Sequence, residues 1–267
     1  SALLVEMDTN IYIIETYVPH VATVIYRSYP SINRKEEVQL KREKFSKIFK
    51  LLIKEMENII VKYLDTEEEK NFAKERLQRV GFTVGEPDWL QYEDELSRFE
   101  EEHKDLHIHE NSSALETLFQ LKKFAFIKSI SHLKDKKPAS RSSAFENIPM
   151  SKHTMDYSRI GNWVHAPTAS FMFNHEEWAV IQLARQIAKA VDSESFKWSP
   201  LGYRILYTKT IPKAILGQEQ CFRAHGLKEE DFSLAVGLEA AYNVLLEDTR
   251  NSFSKENLQL DLARRVA

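Results

Sequence analysis

The side chains of this 267-residue chain best suited to chemistry are nine histidines and one cysteine, and three of their spacings merit testing. The first is His103-x-x-x-His107-x-His109, flanked by Glu102 and Glu110. On an unbroken helix, residues four apart share a face, so His103 and His107 could meet one ion as paired zinc ligands do. The zinc-peptidase helix also needs a glutamate directly after its first histidine, to serve as general base. Lys104 stands there instead. His103 further falls on an apolar stripe, where packing is the stronger reading.

The second spacing, His175-Glu176-Glu177-Trp178-Ala179, begins like the same signature but has alanine where the second ligand is needed. It reads as the polar start of a helix. The third pairs Cys221 with His225, one helical turn on. A neighbouring base could lower the thiol pKa and make a nucleophile. Working Cys/His pairs usually come from separate elements, so a buried structural cysteine is the preferred reading. The Gly-x-Ser-x-Gly elbow, the Gly-x-x-x-x-Gly-Lys phosphate loop and the Gly-x-Gly-x-x-Gly fingerprint do not occur. No cofactor is therefore expected.

The elements that would carry these residues are mainly helical. Seven glycines and eight prolines leave few tight turns. Ile11, Ile14, Tyr17, Val21, Val24 and Ile25 recur at helical steps interrupted by Pro19, so the segment reads as a kinked helix, with a strand as the alternative. The clearest stripe runs over 34–64, through Phe45, Ile48, Phe49, Leu52, Met56, Ile59, Ile60 and Tyr63. Thr66-Glu67-Glu68-Glu69 forms a capping box opening a helix to Val80, with Gly81 as its stop. Pro87 suits the first turn of the next helix, which carries Trp89, Tyr92, Leu96, Phe99, His103 and Leu106. Ser113 and Glu116 form a second capping box ahead of a helix through Leu133. Asn174 is expected to cap a helix to Val191, and Pro212 to open one ending at Gly226. Further helices are expected over 229–248 and 258–266.

Only residues 203–211 read otherwise: Tyr203, Ile205, Tyr207 and Ile211 alternate with Arg204, Leu206, Thr208 and Thr210. The resulting fold class is mainly α: an antiparallel helical bundle (1–137), a serine- and proline-containing loop or linker (138–167), and a second helical layer (168–267), with one small β-hairpin or edge strand near 203–211. The two helical parts are allowed to pack as one domain.

Composition narrows the function. Apolar residues make up 43% and charged residues 29%, with a net charge of −3. That balance disfavours nucleic acid, which calls for a basic excess. No apolar run reaches 18 residues, so no spanning helix is expected. One cysteine excludes an intramolecular disulfide and suits a reducing compartment, so a cytoplasmic location is expected. No basic segment followed by an apolar run opens the chain, so no secretory leader is expected.

Trp89-x-x-x-Glu93 resembles the signature of bacterial secreted effectors that activate small GTPases, over five residues. That resemblance implies nucleotide exchange on a small GTPase, in the host cytoplasm. The bundle-first order is also similar to Rab exchange-factor domains, although Pro138-Ala139-Ser140-Arg141 replaces their acidic Leu-Pro signature after Leu133.

The leading expectation is a non-catalytic protein-binding or regulatory module. It would dock through helical faces and a projecting segment carrying Tyr203, Tyr207, Ile211 and Pro212. A small-GTPase regulator is the first alternative. An enzyme with a scattered histidine or cysteine site is the second.

Overall fold

The computed structural model describes residues 17, 35–85, 92–109, 111–134, 152–172, 174–201, 212–226 and 230–249. Its helices are α1 (Lys35–Ile60), α2 (Glu67–Gln78), α3 (Glu93–His103), α4 (Ala114–Lys134), α5 (Thr168–Met172), α6 (Glu176–Ala188), α7 (Lys213–Ala224) and α8 (Glu230–Thr249). Three short strands complete it: β1 (Gly81–Val84), β2 (Asp156–Ser158) and β3 (Trp163–Ala166). The fold is mainly α, as the spacing of apolar residues requires.

The long stripe forms α1, and Phe45, Leu52, Met56, Ile59 and Ile60 on it are buried. They pack with α6 and α8 in one continuous core that includes Val180, Leu183, Ile187, Val236, Ala240 and Val244. Residues on both sides of the expected linker thus share one core. α8 runs antiparallel to α1, since Lys62 pairs with Glu239 and Asn243 donates to Glu55. Lys44, in the first half of α1, pairs with Glu176. The contact between α6 and α8 is close: a Cβ on Gly237 would lie 2.8 Å from the Arg185 amide nitrogen.

Both capping boxes form. Thr66 Oγ1 accepts from the Glu69 amide while Glu69 reaches back to the Thr66 amide. Ser113 and Glu116 repeat the arrangement. Other boundaries differ from expectation. Asn174 does not cap α6; His175 holds that position without a side-chain bond, and the Asn174 amide donates to His153 O and Ser170 O. Gly81 is not a helix stop but the first residue of β1. It must be glycine for another reason, because the Trp163 ring lies where its Cβ would stand, 1.9 Å from Cε3.

The principal correction concerns 138–167, expected as a loop or linker. Its described part, from residue 152, holds β2 and β3. β3 is central, parallel to β1 in the register Phe82 to Val164 and antiparallel to β2 in the register Tyr157 to Val164. Trp163 Nε1 donates to Thr83 Oγ1 across β1 and β3, and Phe82 stacks on Phe49 of α1 at 4.4 Å. The expected strand at 203–211, the helix at 258–266 and most of the apolar segment 11–25 lie outside the described residues.

Glycine substitutions separate the tight places from the open ones. Gly81→Ala and Gly237→Ala are each expected to destabilise by about 1–3 kcal/mol through overpacking. A methyl group on Gly217 in α7 would meet nothing within 4 Å, so Gly217→Ala should stabilise by roughly 0.5–1 kcal/mol. Thermal melts of the three variants check the order.

Candidate functional site

The three-stranded sheet and the helices around it concentrate the buried polar groups. At their centre is Arg76, which α2 places on its apolar side between Phe72, Ala73 and Leu77, with no exposed surface. Its Nε donates to Ala190 O at 2.7 Å, and Nη1 to Trp198 O and Ser199 O at 2.9 and 2.5 Å. Nη2 donates to the Tyr157 hydroxyl at 3.0 Å and to Arg159 O. The planar fork thus joins α2, β2 and the 190–199 stretch in one contact.

Tyr157 of β2 passes the interaction on. Its hydroxyl donates to Asn162 Oδ1, and Asn162 Nδ2 donates to Arg76 O and Pro200 O. Asn162 sits at φ 47°, a left-handed conformation that asparagine tolerates better than most residues. Burial pushes the Tyr157 phenol above its usual pKa, against the opposing charge of Arg76. Arg159, after β2, pairs with Asp192, whose other oxygen accepts from the Ser195 amide. Glu219 of α7 is buried and accepts from the Ser193 amide.

β2 is the outer strand on this side, and its described strand partner is β3. α6 lies against it: Gln182 Oε1 accepts from the Met155 amide just before the strand. Along α6 follow Arg185 and Gln186, three and four residues on, with Lys189 just past its end. Gln186 Oε1, and Ser233 Oγ on α8, are buried without a hydrogen-bond partner among the described residues. His165 on β3 stands opposite Asp156 on β2 and Thr83 on β1. Desolvation holds its imidazole down at about 4, against a Gly85 backbone hydrogen bond and the nearby Asp156 carboxylate.

The sequence-derived candidates lie elsewhere. α3 ends at His103, whose ring packs against Phe124 of α4 at 5.1 Å. His107 and His109 follow in an irregular, exposed stretch, so no unbroken helix places His103 and His107 on one face. Among the described residues, no group of three or more His, Cys, Asp or Glu is arranged to hold a metal. Cys221 is exposed, not buried as expected. Its Sγ is 3.9 Å from His225 Nδ1, and that nitrogen lies 2.8 Å from Cys221 O. An imidazole nitrogen facing a carbonyl carries its proton, and so is not a base for the thiol. Pro212 is buried at the start of α7; Tyr203, Tyr207 and Ile211 lie outside the described residues. So does Trp89, while Glu93 opens α3.

The fold has solved counterparts. The Haemonchus galactose containing glycoprotein complex superposes with a TM-score of 0.70 at 15% identity, covering 91% of this chain and 41% of that one. PepO from Lactobacillus rhamnosis HN001 gives 0.62 at 13% identity, over 86% of this chain and 38% of that one. A Mycobacterium tuberculosis zinc metalloprotease, Zmp1, in complex with inhibitor, gives 0.58 at 11%, over 90% and 38%. At such identities the likeness establishes the fold alone. This chain spans about two fifths of the length of each. No family model and no curated protein matches the sequence. Among the described residues, no helix is long and apolar enough to cross a membrane.

Arg76→Ala strips donors from four buried or half-buried carbonyls and should destabilise by more than about 3 kcal/mol, with Arg76→Lys failing to restore the fork. Chemical denaturation checks both. His165 has the opposite sense from an ion-paired histidine. The unfolded imidazole takes a proton near its ordinary 6.5 while the folded one resists until about 4. Stability is therefore complete above pH 6.5 and falls as pH drops toward 4, by roughly 3 kcal/mol at most. His165→Asn should flatten that part of a melting-temperature profile against pH.

Proposed function

We propose that this chain is a non-catalytic polypeptide-binding module that receives an extended segment along β2. The carrying observation is that β2 is an outer strand among the described residues, seated against α6. An outer strand offers main-chain groups to an added strand, and pockets beside it choose the side chains. The solved counterparts include a zinc metalloprotease, an enzyme class that acts on polypeptides, and this supports a polypeptide ligand here.

Binding without cleavage is favoured by the residue types along the chain. The zinc-peptidase helix carries ligand, base and ligand as H-E-x-x-H. The sequence holds this pattern nowhere, and the nearest approach, at His175, ends on Ala179. That alanine is buried in the core. The helix against β2 carries Gln182, Arg185 and Gln186, with Lys189 just beyond its end. Guanidinium and ammonium groups repel a divalent cation, and an amide cannot take a proton from water.

Anisotropy of labelled extended ten-residue peptides tests this reading. Binding is expected for at least one composition. The same peptide methylated on alternate backbone nitrogens should lose at least tenfold in affinity, because strand addition needs those N–H groups. Elemental analysis should find less than about a tenth of an equivalent of zinc, and mass spectrometry should recover the peptide intact. Equal binding of the methylated peptide would remove the strand-addition reading; zinc-dependent cleavage would remove the non-catalytic one.

A further inference from the structure

A second surface stands apart from the sheet. On α4, Leu115, Phe119 and Phe126 are 76%, 64% and 65% exposed, and Ile130 is exposed with them. At roughly 100° per residue these four fall within about 60° of the helix circumference, and Lys122 and Lys123 stand about 20° outside its two borders. Both lysines are exposed, and Ile127, also exposed, lies beyond Lys123. Scattered surface apolar residues do not line up in this way, so the stripe marks a contact surface. The opposite side of α4 faces inward: Leu121 is buried and Phe124 meets His103 of α3.

Charge indicates what covers it. Along its length α4 carries Lys122, Lys123, Lys128 and Lys134 against Glu116 alone. The Glu116 carboxylate is turned to the helix start, where it accepts from the amide and the hydroxyl of Ser113. The exposed carboxylates of Glu93, Asp94, Glu100 and Glu101 belong to α3, which meets α4 through Phe124 on the side away from the stripe. The occupant is therefore anionic. A second copy of this chain fits poorly, because Lys122 and Lys123 mark the midpoint of the stripe, and an antiparallel pairing of two α4 helices sets them against their own copies. A protein partner would need a groove shaped to this convex ridge. Acyl chains close around protruding side chains without one, while border lysines reach the headgroups. We propose that α4 is an interfacial helix that lays Leu115, Phe119, Phe126 and Ile130 into an anionic phospholipid surface, with Lys122 and Lys123 at the headgroups. The net charge of −3 supplies no long-range attraction, so binding depends on the stripe and its lysines together. This surface is separate from the one β2 offers.

Co-sedimentation of the full chain with vesicles tests this. Phosphatidylcholine with roughly 30 mol% phosphatidylserine is the anionic probe, and pure phosphatidylcholine the neutral one. Partitioning is expected to be at least tenfold stronger onto the anionic vesicles and to weaken with added salt. The pair Phe119→Ser and Phe126→Ser, both at exposed positions, should lose at least tenfold on anionic vesicles. The pair Lys122→Glu and Lys123→Glu should remove the preference for them. The fluorescence of Phe126→Trp, relative to the unsubstituted chain, should gain a component quenched by brominated lipid tails, which reports a side chain below the headgroups. Unchanged thermal melts confirm that the variants are folded. No sedimentation with anionic vesicles would overturn the proposal, and so would equal sedimentation of the double phenylalanine variant. A solution dimer abolished by that variant would also overturn it, because a second copy would then be the occupant. Capture of a glutamate-flanked amphipathic helical peptide in place of the vesicles would overturn it in favour of a protein partner.

Discussion

A buried guanidinium with no carboxylate partner among the described residues organises this protein. Arg76 spends its donors on backbone carbonyls of residues 159, 190, 198 and 199 and on one phenol. A cation can be held out of water this way because several aligned carbonyl dipoles replace its hydration shell, and arginine is less strongly hydrated than lysine. The constraint is mutual. The 190–200 stretch holds only short 3-10 turns, ending at Val191 and spanning Ser195–Lys197, and the carbonyls of Ala190, Trp198 and Ser199 take donors from Arg76 outside it. α2 supplies these donors, and the position of β2 follows through Tyr157. The outer strand therefore sits where it does because of a residue on a helix outside the sheet.

The helices were legible because burial imposes a three-four spacing on α1, α6 and α8, and because Thr66 and Ser113 each pair with a glutamate three residues on. The sheet was not legible. Its strands are three or four residues long, too short for alternation to register against noise. β1 and β3 are also parallel partners some 80 positions apart, which no local pattern announces. Gly81 illustrates the ambiguity: a glycine after a helix reads as a cap, whereas this one makes room for the Trp163 ring.

The candidate site was missed for a related reason. Histidine and cysteine spacings draw attention because they are chemically loud, yet His103 packs on a phenylalanine and His225 addresses a carbonyl. The informative residue was Arg76, a charge at a position where the stripe Phe72, Ala73, Leu77 and Val80 demands something apolar. A charged residue in phase with a buried stripe signals an internal hydrogen-bond hub. Its partners, being mostly backbone, leave no trace in composition.

The distance in sequence between β1 and β3 has a consequence for biosynthesis. A ribosome delivers α1, α2 and β1 long before the central strand exists, and the acceptors for Arg76 emerge later still. Until roughly residue 200 has left the exit tunnel, the nascent chain carries an unpaired strand and an unsatisfied cation beside a half-built core. Such a chain is a natural client for holding chaperones, and an interruption of translation in this interval would favour degradation over a stable shorter product.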